Sequence, residues 1–139
     1  MDTVGQQRFA RMNEGLNAVF ARHDPVIVAH RGTAGGAVTE NTADAAHAAF
    51  LSGADIVEID VISSSDGEYF VFHTGTESRN LGTDTALEAL SAAEIGRLEY
   101  RARGRGGRPQ GVERLDEFLF RFRGVDRMFN IDRSWHLWP

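Results

Sequence analysis

The chain has 139 residues, 42% of them hydrophobic and 25% charged, with a formal net charge of −5 at pH 7. That composition suits one soluble globular unit and argues against both a disordered tail and a nucleic-acid binder working through bulk positive charge. Cysteine is absent and every basic side chain other than histidine is arginine, which excludes disulfides, thiolate metal sites, Schiff bases and a lysine phosphate clamp.

Residues 4–22 carry Val4, Phe9, Met12, Leu16, Val19 and Phe20 at mostly helical spacing, which predicts an amphipathic N-terminal helix within a segment 1–24. Pro25 interrupts, and Val26 to His30 reads as a first strand with Val28 and His30 on one face. The glycine-rich stretch Gly32 to Thr39 reads as a loop, after which Asn41 or Thr42 caps an alanine-rich helix that runs to Leu51 and stops at Gly53. Ile56 to Val61 is a second strand. Asp66-Gly67 is a tight-turn signal, and Tyr69 to His73 alternates like a third strand. Ser91 to Glu94 has capping-box spacing for a short helix through Leu98. Arg101 to Gly111 is an irregular basic loop without the aromatics that stack bases, so it reads as solvated. Val112 to Phe122 is helical in pattern, and Met128 to Ile131 is a short strand ending at Asp132. No apolar run approaches the length of a membrane span and the N-terminus lacks a signal core, so a cytoplasmic location is expected.

Two strands drive β-branched runs into charged side chains. In Ile56-Val57-Glu58-Ile59-Asp60-Val61 the period of two sends Val57, Ile59 and Val61 to one face and Glu58 and Asp60 to the other. Two buried like charges on one face call for a cation, and hard ions such as Mg²⁺ or Ca²⁺ take oxygen ligands; a salt bridge is the plainer alternative. His30 and His73 each end a strand. Arg31 offers a guanidinium suited to phosphate, with a surface arginine as its bland counterpart.

His30-Arg31-Gly32, Glu40-Asn41-Thr42, Gly53-Ala54-Asp55 leading into Glu58-Ile59-Asp60, Asp66-Gly67 and the strand ending at His73 together resemble the glycerophosphodiester phosphodiesterases in residues, order and approximate spacing. The resemblance runs from about Pro25 to Arg133. It implies an α/β fold, the first half, roughly four strands, of a TIM-type (β/α)₈ barrel over residues 25–139. It also implies divalent-metal-dependent hydrolysis of a small glycerophosphodiester to an alcohol and glycerol 3-phosphate. On that resemblance His30 and His73 are the acid and base, and Glu58 and Asp60 are joined as metal ligands by Glu40 and Asp132. Asn41 positions the loop, although helix capping is its alternative, and Arg31 contacts phosphate. Sphingomyelinase D-like phospholipases share the two-histidine and acidic-metal arrangement and are the nearest alternative.

The sequence departs from that pattern in places. Thr74 follows His73 where the family has aspartate, and Asp132 stands where it usually has glutamate. Ser134 stands where it has lysine, and a neutral hydroxyl cannot replace a phosphate-facing cation. If the last strand continues, Arg133 points to the opposite face. A full barrel needs about 250 residues, so the sequence reads as the N-terminal part of a longer protein or a truncated gene. The alternatives are a half-barrel that closes as a homodimer, and a catalytically incomplete binding or oligomerisation module.

Overall fold

The computed structural model describes residues 9–35, 38–101 and 107–133, with Met12 described for its backbone alone. Of the predicted features, positions 4–8 of the first helix, positions 102–106 of the basic loop, and Ser134 with the residues after it lie outside the described residues.

Strand β2 (Ile56–Ser63) is the centre of the sheet. It pairs in parallel with β1 (Val28–His30) and with β4 (Met128–Asp132), aligning His30 with Glu58, Glu58 with Asn130 and Asp60 with Asp132. Its alternation works as the sequence implies. Val57, Ile59 and Val61 pack with Ala43, Ala46, Ala49 and Phe50 of helix α2 (Ala43–Leu51), and with Leu115 and Phe118 in a later helix. The opposite face of β2 presents Glu58 and Asp60. Phe50, Phe122 and Phe129 close the outer core with edge-to-face contacts, the nearest ring centroids 4.9 Å apart.

Strand β3 (Tyr69–Val71) departs from the expected barrel run: it is antiparallel to β2, with Val61 opposite Val71 and Ser63 opposite Tyr69. The cause is the tight turn at Asp66-Gly67. The Ser64 hydroxyl donates to Asp66, Gly67 sits at φ 89°, and the Gly67 amide donates to the Ser64 carbonyl. The roughly four strands expected are thus present as three parallel strands and a returning hairpin arm. The return has a consequence for the site: the Phe72 amide donates to the Asp60 carbonyl at 3.1 Å, so the chain brings His73 back to the level of the β2 carboxylates.

Helix α1 (Ala10–Arg22) covers the end of the sheet where the parallel strands begin. His23 Nδ1 lies 2.7 Å from Asp55, just before β2, and Arg22 lies 3.7 Å from Asp126, just before β4. Thr42, rather than Asn41, caps α2, its hydroxyl accepting from the Ala45 amide. Short helices α3 (Glu77–Asn80) and α4 (Ala92–Ile95), with a 3₁₀ turn at Leu87–Ala89, follow β3; the capping box on α4 is present, Ser91 and Glu94 satisfying each other's amides. They shelter a second core of Ile62, Phe70, Phe72, Leu87, Ile95, Tyr100 and Val112. Helix α5 (Leu115–Phe120) is shorter than its sequence pattern and leads through turns into β4. Ile27 and Val28 are about half exposed along β1, whose outer edge has no neighbouring strand among the described residues.

Gly32 is where β1 passes into the loop over α2. Its φ is 75°, and a Cβ there would lie 2.6 Å from the Ala45 carbonyl carbon. Gly32→Ala is expected to destabilise the fold by about 2–4 kcal/mol, combining left-handed strain with a backbone overlap that no rotamer relieves. Urea unfolding would show this, and an unchanged midpoint would refute it.

Candidate active site

Glu58, Asp60 and Asp132 each offer an oxygen within 4.8 Å of the other two. β2 supplies the first two from one face, and the register with β4 sets Asp132 beside Asp60. Among the described residues this is the one group of three or more such side chains suited to a metal ion.

Each carboxylate of the β2 pair is held by one oxygen. Glu58, 7% exposed, accepts from the Arg31 amide through Oε2 at 2.9 Å, the same oxygen that lies 3.9 Å from His30 Nε2. Its Oε1 is buried and has no partner. Burial, above all, pushes the Glu58 carboxyl above its ordinary range, with Asp60 and Asp132 adding to the rise and the Arg31 amide and His30 opposing it. Asp60, 2% exposed, is gripped from both ends of the Asn41 amide: Asn41 Nδ2 donates to Oδ2 at 2.9 Å, and the Asp60 amide donates to Asn41 Oδ1 at 3.1 Å. Arg31 Nε lies 3.0 Å from the same Oδ2, close enough for charge attraction but not aligned as a hydrogen bond.

The remaining expected ligand lies elsewhere. Glu40 Oε1 takes Arg79 Nη2 at 2.8 Å and Arg31 Nη1 at 3.3 Å, so it is committed to two guanidiniums and stands outside the carboxylate trio. Arg31, only 15% exposed at its side chain, thereby spans Glu40 and Asp60.

His30 ends β1 with its side chain 72% exposed. His73 is half-buried, with Nδ1 lacking a partner and Nε2 3.0 Å from Arg133 Nη1. The strand does not continue through Arg133, so the condition for its pointing to the opposite face is not met. The residue adopts φ 59°, the strand ends at Asp132, and the guanidinium comes to the histidine instead of the opposite face. Arg31, Asn41 and Arg133 are the non-glycine residues with positive φ among those described, and all three are here. Such backbone costs about 1–3 kcal/mol per residue and persists where surroundings over-determine it. Arg79 and Arg133 are the contributors that sequence reasoning missed. Arg79 sits on a helix too short to show a period, and the direction of Arg133 depends on where its strand stops.

The donor set suits a hard divalent cation: three carboxylates, one with a buried oxygen that nothing in the protein satisfies. Parallel strands carrying polar groups at their C-terminal ends, under helices packed on the other face, define part of a TIM-type α/β barrel. Solved structures agree. A phosphodiesterase from Oleispira antarctica, in complex with the product sn-glycerol-3-phosphate, is similar with a TM-score of 0.68 and 27% identity over 84% of this chain and 45% of its own. A glycerophosphodiester phosphodiesterase from Agrobacterium tumefaciens is similar with a TM-score of 0.63 and 34% identity, over 76% of this chain and 46% of its own. The sequence model of the glycerophosphoryl diester phosphodiesterase family matches residues 30–135, and this chain belongs to that family. A Mycobacterium tuberculosis protein (strain CDC 1551 / Oshkosh) named "Probable glycerophosphodiester phosphodiesterase 1" is 32% identical over 118 residues, 85% of this chain. The chain spans 41% of that relative's length.

Proposed function

We propose that this chain supplies the metal-holding and proton-transferring part of a site that hydrolyses glycerophosphodiesters to an alcohol and glycerol 3-phosphate. The observation that carries the reading is the orphaned, buried Glu58 Oε1 inside a carboxylate trio flanked by two histidines. Family membership and the glycerol phosphate bound to the Oleispira relative support the substrate class.

Glu58, Asp60 and Asp132 would hold Mg²⁺ or Ca²⁺, which supplies positive charge to the phosphoryl oxygens. Asn41 keeps Asp60 oriented, and Glu40 keeps Arg31 in place as a fixed positive charge near the phosphate. His30 and His73 carry protons to and from the reacting oxygens, a task suited to imidazole at neutral pH. Among the described residues no helix is long and apolar enough to cross a membrane.

Glycerol 3-phosphate release from glycerophosphocholine by the purified chain, with Mg²⁺ or Ca²⁺ and with chelator, tests this. Release that stops in chelator is the expected result. Neither release nor divalent binding would overturn it. The half-exposed β1 edge favours one other reading, a barrel part that binds a covering partner without catalysis. Divalent-independent self-association without turnover would select that reading.

A further inference from the structure

We infer that Arg133 is a second cation for the substrate phosphate, beside the fixed charge of Arg31, an assignment that rests on the phosphodiesterase reading above. The chain has no lysine, so a permanently charged side chain for a substrate phosphate here is an arginine. The nearby helix start is already taken, because the Ala43 amide at the head of α2 donates to Glu113 at 3.0 Å. Of the arginines at the site, Arg31 is committed to Glu40 and Asp60, and Arg79 to Glu40. Arg133 differs: among the described residues it has no carboxylate partner, and its guanidinium rests on the ring nitrogen of His73 at 3.0 Å.

Its position follows from two backbone facts. Asp132, immediately before it, is in the carboxylate trio, and the left-handed turn at Arg133 stops the strand alternation that would have carried the side chain away. A guanidinium has five donors in a planar fork. With one nitrogen spent on His73, the others remain for phosphate oxygens, in the bidentate geometry that arginine offers and a point charge does not. The contact also orients the acceptor. Because guanidinium only donates, His73 Nε2 is the acceptor in this contact, so one arginine would hold the phosphate and fix the ring of His73 beside it.

The test uses the full 139-residue chain with Ca²⁺ present and inorganic phosphate and glycerol 3-phosphate as probes, titrated calorimetrically. Arg133→Gln should weaken both by about tenfold or more, the loss expected for a charge-assisted contact, and Arg133→Lys should recover part of it. Ca²⁺ affinity should stay within about twofold, which separates lost phosphate contact from a damaged carboxylate trio. Arg114→Gln, which removes a guanidinium paired with Glu68 away from the site, should change nothing in these titrations. Arg133→Gln binding phosphate as well as the parent chain, or a parent chain that binds none, overturns the assignment. Glycerol 3-phosphate release by the parent chain, measured alongside, shows whether the phosphodiesterase reading survives that result.

Discussion

Glu58→Gln is expected to raise the thermal midpoint of the divalent-free chain at neutral pH and to abolish the further rise that Mg²⁺ or Ca²⁺ gives the parent. Burial, with Asp60 and Asp132 close by, lifts the Glu58 carboxyl above its ordinary range. A carboxyl raised by folding keeps its proton in the fold at pH values where the unfolded chain has released it. The group's favourable contribution is thus fully present below the ordinary carboxylate range and is lost as pH rises through the raised value. Glutamine has the same shape and an oxygen for the Arg31 amide, but no charge to desolvate. The gap in midpoint between variant and parent should therefore widen from acid to neutral pH, each 1 kcal/mol appearing as about 3–5 °C in a chain of this size. A divalent ion reverses the ranking, because ligand at about a hundredfold over its dissociation constant stabilises the parent by roughly 2.7 kcal/mol. Differential scanning fluorimetry across pH, with and without Ca²⁺, reads both effects. A variant less stable than the parent at neutral pH, or equally stabilised by Ca²⁺, would refute the account of Glu58 as a charge waiting for a cation.

What could be read from the sequence follows the range of each signal. The β2 pattern is local, a period of two over six residues, and it correctly placed Val57, Ile59 and Val61 on the helices and Glu58 and Asp60 on the other face. Helix α2 and its stop at Gly53, the capping box at Ser91 and the strand ending at Asp132 are local for the same reason. The misplaced features turn on non-local facts. The hairpin turn at Asp66-Gly67 was visible, but alternation from Tyr69 to His73 looks the same for a parallel or a returning strand, and only pairing to β2 decides. Glu40 carries the same charge as the trio, yet the arginine of a separate helix, Arg79, competes for it. Asn41 and Thr42 are equally good caps on paper. Asn41 is diverted because its amide matches both the backbone and the carboxylate of Asp60, 19 residues away. Arg133 depends on the sign of one dihedral angle, which no side-chain pattern encodes.

Removing either histidine is expected to lower the turnover of glycerophosphocholine by about 10²–10⁴-fold, the usual loss for a positioned acid or base. The two should separate when the leaving group changes. In the proposed reaction we assign His73, half-buried and held at the level of the β2 carboxylates, to accept the proton of the attacking group. His30, open to solvent at the mouth of β1, is assigned the proton given to the departing alkoxide. A p-nitrophenyl phosphodiester leaves without needing that proton. His30→Ala should recover most of its lost rate on such a substrate, while His73→Ala stays slow on both, because attack on phosphorus still requires a base. The double variant should be little worse than His73→Ala alone, since residues that act in one proton relay lose their effect together. The opposite pattern, with rescue of His73→Ala and none of His30→Ala, would exchange the two roles. Equal rescue of both would refute this division of roles, because it would tie both histidines to departure of the leaving group.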